Sequence, residues 1–97
     1  MRLRIVEVKP DMRGIEVTGK IASMGDVKSV NTRFGPAQVT QAVLQDETGS
    51  IVLNLWRDQT RMVREGDRVM IENAFVRTFK DQLELNVGKD GKITVLR

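Results

Sequence analysis

The sequence contains no cysteine and no histidine. Without cysteine there is no disulfide framework and no thiolate metal site. Without histidine the commonest general base and the commonest zinc ligand are missing. There is no Walker-type loop and no nucleophile elbow, and no pair of carboxylates falls in a catalytic motif. These absences argue against an enzyme and lead us to expect no cofactor and no metal. Apolar runs are short, too short for a membrane-spanning helix. The opening Met1-Arg2-Leu3-Arg4 lacks the apolar block of a signal peptide. No membrane partner is expected. Aromatic residues are scarce as well: Phe34, Trp56, Phe75 and Phe79 are all there are. That is few for a core, so their placement carries information.

What is present fits one small domain. Ninety-seven residues are enough to bury a single core. The apolar share of 40% and the charged share of 30% are ordinary for a globular fold. Sixteen Lys and Arg stand against thirteen Asp and Glu, for a net charge of +3. Acidic residues are interspersed throughout, so a basic stripe for nucleic acid is permitted and not demanded.

Period-two alternation marks half-buried strands. Ile15, Val17 and Ile21 share one face, and Glu16, Thr18 and Lys20 the other. Gly25 to Pro36 reads as a polar loop holding Lys28, Asn31 and Arg33. Val39 to Leu44 is a second strand. Asp46-Glu47-Thr48-Gly49 is a hairpin turn, in which Asp and Thr bond nearby backbone and Gly supplies positive φ. Ile51, Leu53 and Leu55 form one face of a third strand, opposite Val52, Asn54 and Trp56. Arg57 to Val63 holds a short helix or turn. A fourth strand runs from Arg68 to about Phe79, and Lys80-Asp81 is a turn. In a fifth strand Leu83, Leu85 and Val87 oppose Gln82, Glu84 and Asn86. Gly88 to Gly91 reads as a turn and Ile93 to Leu96 as a short terminal strand. Residues 1–12 form an ordered lead-in. The expected fold is all-β: a five-stranded OB-fold barrel with a short helix or turn between strands three and four. An SH3-like barrel is the alternative.

The aromatics have the wrong parity for the core. Trp56 opposes the Leu53 and Leu55 face. Phe75, Arg77 and Phe79 share a face, opposite Ala74, Val76 and Thr78. Upstream, Val69 and Ile71 have the parity of Phe75. Both halves can be satisfied only if the phase slips by one residue, which predicts a β-bulge or sharp coil near Glu72-Asn73. Outward aromatics interleaved with Arg57, Arg77 and Lys80 make a stacking platform in a positive groove. Single-stranded nucleic acid requires that combination, because every base has a π-face and every phosphate needs a cation. Phe34, beside Arg33 in the long loop, either closes over the strand or tucks against the barrel rim. Lys28 and Arg33 are further candidates for backbone contacts. Gln82 and Asn86 are candidates for base or sugar contacts, although exposed polar residues are the default on an outer strand face.

The same residues carry a family resemblance. Asp46-Glu47-Thr48-Gly49 with Leu53-Asn54-Leu55-Trp56, then Glu65-Gly66-Asp67, Glu72-Asn73-Ala74-Phe75 and Gln82-Leu83-Glu84-Leu85-Asn86, resemble archaeal single-stranded DNA-binding proteins. They are also similar to OB domains of archaeal replication protein A and to the human-type simple single-stranded DNA-binding proteins. The resemblance implies that Trp56, Phe75 and Phe79 stack on bases. Phe75 stands where the family often has tryptophan, which implies weaker stacking in the same role. It further implies a non-enzymatic protein that protects single-stranded DNA in replication, recombination and repair. Replication and repair proteins are then the expected partners, and a cytoplasmic location is expected, nucleoid-associated if the source is archaeal. RNA binding on the same fold and protein–protein assembly within a replication protein A complex are the alternatives. A tailless monomer and one module of a longer protein both fit the length.

Overall fold

A computed structural model describes residues 2–96. Met1 and Arg97, the ends of the expected domain, lie outside them. Strands are β1 (Arg2–Leu3), β2 (Arg13–Met24), β3 (Lys28–Thr32), β4 (Gly35–Asp46), β5 (Gly49–Trp56), β6 (Arg68–Phe79) and β7 (Gln82–Leu96). Two 3-10 turns, Ile5–Glu7 and Arg57–Arg61, complete the element list. The strands run β1-β2-β6-β7-β5-β4-β3, and β2 pairs with β4 as well. That extra pairing closes β2, β6, β7, β5 and β4 into a five-stranded ring, which is the OB-fold barrel. The β5–β7 pair is parallel, and the other ring pairs are antiparallel. Closure leaves the ring without an open edge. Closure is tight where β2 leaves β6 for β4. There Lys20 pairs with both Arg68 and Gln45. A Cβ on Gly19 would meet the Gln45 carbonyl at 2.7 Å, so only glycine lets the two backbones approach.

The expected faces are the buried ones. Ile15, Val17 and Ile21 meet Ile51, Leu53 and Leu55 inside the barrel. Val69, Ile71, Ala74 and Val76 join them from β6, and Leu85, Val87 and Ile93 from β7. Each fully buried Val, Leu or Ile contributes about 1.5–3 kcal/mol. No aromatic ring belongs to this core among the described residues. In β6 the buried positions change parity between Ile71 and Ala74. The register with β7 breaks between Glu72 and Ala74, and Asn73 takes φ 54°. This is the predicted bulge, and it turns Phe75, Arg77 and Phe79 outward.

Three sequence expectations are corrected. Gly25 to Pro36 is not a loop: β3 pairs with the start of β4 around the turn residues Arg33 and Phe34. The Thr32 hydroxyl accepts from the Phe34 amide at 3.1 Å and donates to the Gly35 carbonyl at 2.7 Å. β3 itself has no buried residue and Ala37 is the only buried one in the facing segment of β4, so no apolar alternation betrays the hairpin. Pro36 is tolerated because β5 joins β4 only from Val39 onward. Secondly, Gly88 to Gly91 is no terminating turn. Glu72 pairs with Lys92 and Ala74 with Val87, so Asn73 alone faces an outward excursion of β7 over residues 88–91. The strand then continues through Ile93 to Leu96. Thirdly, Gly49 does not have positive φ; the positive-φ glycines are Gly14, Gly35 and Gly66. The Asp46–Gly49 turn is closed instead by Asp46 Oδ1, which accepts from the Thr48 amide, the Thr48 hydroxyl and the Gly49 amide.

Candidate nucleic-acid interface

Trp56 ends β5 and is half-buried. The chain turns at Arg57, φ 53°, into the second 3-10 turn. Gln59 anchors that turn twice: its Oε1 accepts from the Trp56 amide at 3.0 Å and its Nε2 donates to the Val87 carbonyl at 3.1 Å. The indole Nε1–H donates to Asn86 Oδ1 at 3.3 Å. These bonds fix the ring plane while leaving one side open.

Phe75 is also half-buried, and its register partners are Arg13 on β2 and Asn86 on β7. The Arg77 guanidinium stands 5.6 Å from the centre of its ring, within cation–π reach. A Cβ added at Gly88 would come 3.2 Å from Phe75 Cε1, so glycine there keeps that edge of the ring clear. Trp56, Phe75 and Phe34 line one cleft of about 630 Å³, with Arg33, Arg57 and Lys89. A second cleft of about 600 Å³ on the other flank of Phe75 is lined by Arg13, Asn73, Arg77 and Lys89, with Asp11 and Asp90. Phe75 is therefore a wall between two open, cation-bearing grooves.

Phe79 lies further along the same strand face, 59% exposed, and does not line either cleft. Lys80 Nζ is 5.4 Å from its ring centre. Phe34 is 84% exposed at the hairpin tip, so the reading in which it tucks against the barrel rim is excluded. Lys28 pairs with Val39, and Val39 with Trp56. Directly paired residues project to the same side of a sheet, so Lys28 shares the Trp56 face.

Between the aromatic positions lies a polar network that the sequence reading missed. Asn54, Glu84 and Asn86 are buried, not exposed. The Asn54 side-chain amide donates to Glu84 Oε1 at 2.9 Å and to Asn86 Oδ1 at 3.3 Å. Gln41 and Gln82 each donate to Glu84 Oε2, at 3.3 and 3.2 Å. Asn86 Oδ1 is thus taken by two protein donors, which makes Asn86 a support for Trp56 more than a free base contact. Gln82 remains exposed. Among residues not anticipated, Asn54 had a legible signal, since it breaks an otherwise apolar strand. Gln41, Gln59, Arg13 and Lys89 had none beyond polarity.

The comparisons with known proteins agree with this geometry. The family model described as single-stranded DNA binding protein Ssb-like, OB fold, matches residues 8–95. The chain is 33% identical over 93 residues to the single-stranded DNA binding protein Ssb of Saccharolobus solfataricus, covering 96% of this chain and 63% of that protein. It is 32% identical over 90 residues to replication factor A of Methanothermobacter thermautotrophicus, covering 92% of this chain and 11% of that protein. The chain thus spans less than two thirds of the length of both relatives. Among solved structures, an OB domain from Thermoplasma acidophilum matches with TM-score 0.87 and 26% identity, over 99% of this chain and 87% of that one. The second OB-fold domain of replication protein A from Methanococcus maripaludis matches with TM-score 0.82 over 100% of this chain and 96% of that one, at 24% identity, a likeness of fold alone. With its barrel topology, its DETG hairpin and a family match over nearly its whole length, the chain belongs to the Ssb-like family of OB-fold single-stranded DNA binding proteins.

Proposed function

We propose that this chain is a non-enzymatic binder of single-stranded DNA with little sequence preference, which shields exposed strands in replication, recombination and repair. The observation that carries the reading is the cleft in which Trp56, Phe75 and Phe34 meet beside Arg33, Arg57 and Lys89. Bases stack on Trp56, Phe75 and Phe79, with Phe34 closing from the hairpin tip. Lys28, Arg33, Arg57, Arg77 and Lys80 reach the phosphates around the rim. Gln82 is the exposed amide available to a base or sugar. Replication and repair proteins are the proposed partners, and the proposed site of action is cytoplasmic, nucleoid-associated if the source is archaeal.

Trp56 is the sole tryptophan, so its fluorescence reports on the site directly. Titration with an oligonucleotide should quench it. Trp56→Ala should weaken binding by about ten- to a hundredfold, the equivalent of a stack worth ~1–3 kcal/mol. An unquenched Trp56, together with unchanged affinity of the variant, would remove it from the interface. Competition with an RNA oligomer of the same sequence separates DNA from RNA preference, since only RNA offers a 2′-OH.

A further inference from the structure

The least expected group on the face is Glu84. Glu84 is buried, 8% exposed, on a face whose two clefts carry Arg and Lys alongside Asp11, Asp58 and Asp90. Its register partner on β6 is Arg77. Arg77 lies instead against the Phe75 ring. No ion pair to Glu84 occurs among the described residues. The charge is met by amides alone, those of Gln41, Asn54 and Gln82. Along β6 and β7, Phe75 pairs with Asn86, Arg77 with Glu84, and Phe79 with Gln82. Glu84 therefore lies midway between the Phe75 and Phe79 rows. A strand that stacks on both rings passes over it.

An ionised carboxylate only accepts hydrogen bonds. It therefore dictates which end of each neighbouring amide turns inward. Gln41 and Gln82, both exposed, turn their Nε2 groups to Glu84, which leaves each side-chain oxygen directed away from it. Both exposed amides of the network thus offer acceptors to whatever lies above. A base with an exocyclic amino group complements that surface: cytosine and adenine each carry an NH₂ donor. Thymine sets a carbonyl oxygen at the place where cytosine has its amino group. The same negative charge repels phosphates and favours a strand whose bases point inward.

We infer that Glu84 is a positioning residue: through Gln82, and jointly with Asn54 through Gln41, it tilts this face toward bases with amino donors, and so gives a modest preference for cytosine over thymine. The inference rests on the single-strand reading above and adds a second layer to it, because stacking alone does not tell the two pyrimidines apart. Glutamine in place of Glu84 keeps the shape but can donate as well as accept, so the Gln82 amide is free to reverse, whereas Gln41 Nε2 is still held by Asn54 Oδ1 at 3.2 Å.

The test is titration of the whole chain with oligo-dC and oligo-dT of equal length near neutral pH, for the wild type and for Glu84→Gln. One net hydrogen bond corresponds to a dC preference of roughly two- to tenfold in the wild type. In Glu84→Gln the ratio should fall to near one, chiefly because dT binds more tightly. Gln82→Ala, a change at an exposed position, removes one of the three amides on Glu84 but leaves those of Gln41 and Asn54 in place; it should reduce the ratio, and it keeps the test available if Glu84→Gln folds poorly. A wild type that does not prefer dC overturns the inference. So does a ratio unchanged in both variants. If neither oligomer binds, the single-strand reading itself fails, and this inference with it.

Discussion

Asp46→Ala is the sharpest test of what the DETG segment does. The Asp46 carboxylate holds four donors. Three belong to its own hairpin: the Thr48 amide at 2.7 Å, the Thr48 hydroxyl at 2.6 Å and the Gly49 amide at 3.1 Å. The fourth is the Ile5 amide at 2.9 Å, from the N-terminal 3-10 turn. Next to it the Thr48 hydroxyl accepts from the Val6 amide at 3.1 Å. The motif is thus a clasp that pins the lead-in, with its buried Ile5, onto the barrel. A hydrogen bond to a charged group contributes about 1.5–3 kcal/mol, and less where water can replace it. Counting the Ile5 bond in full and the three solvent-accessible turn bonds at a few tenths each gives about 2–4 kcal/mol. For a domain of this size that lowers Tm by roughly 10–30 °C.

The pH dependence has a definite sign. Burial pushes the Asp46 carboxyl up, but the Thr48 hydroxyl and the amides of Ile5, Thr48 and Gly49 outweigh it and hold its pKa below the ordinary 3.8. A carboxyl whose pKa is lower in the folded state stabilises fully above the unfolded value. That contribution is lost as pH falls through the folded value. Urea titrations should therefore show the full gap between wild type and Asp46→Ala near pH 7, and a narrowing gap below about pH 4. A neutral-pH gap under about 0.5 kcal/mol would refute the clasp. A gap that stays constant with pH would refute the role of the charge. Affinity for single-stranded DNA, measured well below Tm, should not change, because Asp46 lines neither aromatic cleft.

Two further outcomes are expected. Gly88→Val places a branched side chain where even a Cβ lies 3.2 Å from the Phe75 ring, so the ring must move. Calorimetric titration should show affinity for single-stranded DNA falling by about tenfold, the loss of one stack, while the thermal midpoint changes little. Asn73→Val puts a β-branched residue at φ 54° and removes the bond from Asn73 Nδ2 to the Asp90 carbonyl at 3.2 Å. Denaturant unfolding should register a loss of about 1–3 kcal/mol, with Asn73→Gly better tolerated; equal stability of the valine variant would contradict the strain.

Much of the barrel was legible from alternation, because a strand with one face in a core must change polarity at every residue. The clearest case is β6, where Val69 and Ile71 conflict in parity with Ala74 and Val76. Only an extra residue at Asn73 resolves that conflict, so the bulge could be placed before any coordinates. The outward direction of Trp56, Phe75 and Phe79 followed from the same counting. The hairpin of β3 and the excursion of β7 over residues 88–91 were not legible. Neither β3 nor residues 88–91 has a buried residue, so neither leaves an apolar rhythm.

Parity along a strand is a local property, and the sequence by itself determined it: which side chains enter the core, that the aromatics stay out of it, and where β6 must slip. Which strands become neighbours is decided only by closure of the barrel. The parallel pairing of β5 with β7 brings Asn54 against Asn86 across a separation of 32 residues. The same pairing turns an ordinary polar strand face into a buried network centred on Glu84. The curl of the β3–β4 hairpin likewise sets Phe34 in one cleft with Trp56 and Phe75. No period within one segment encodes the register between two distant ones, so the aromatics could be read from the chain, and the acidic centre they surround could not.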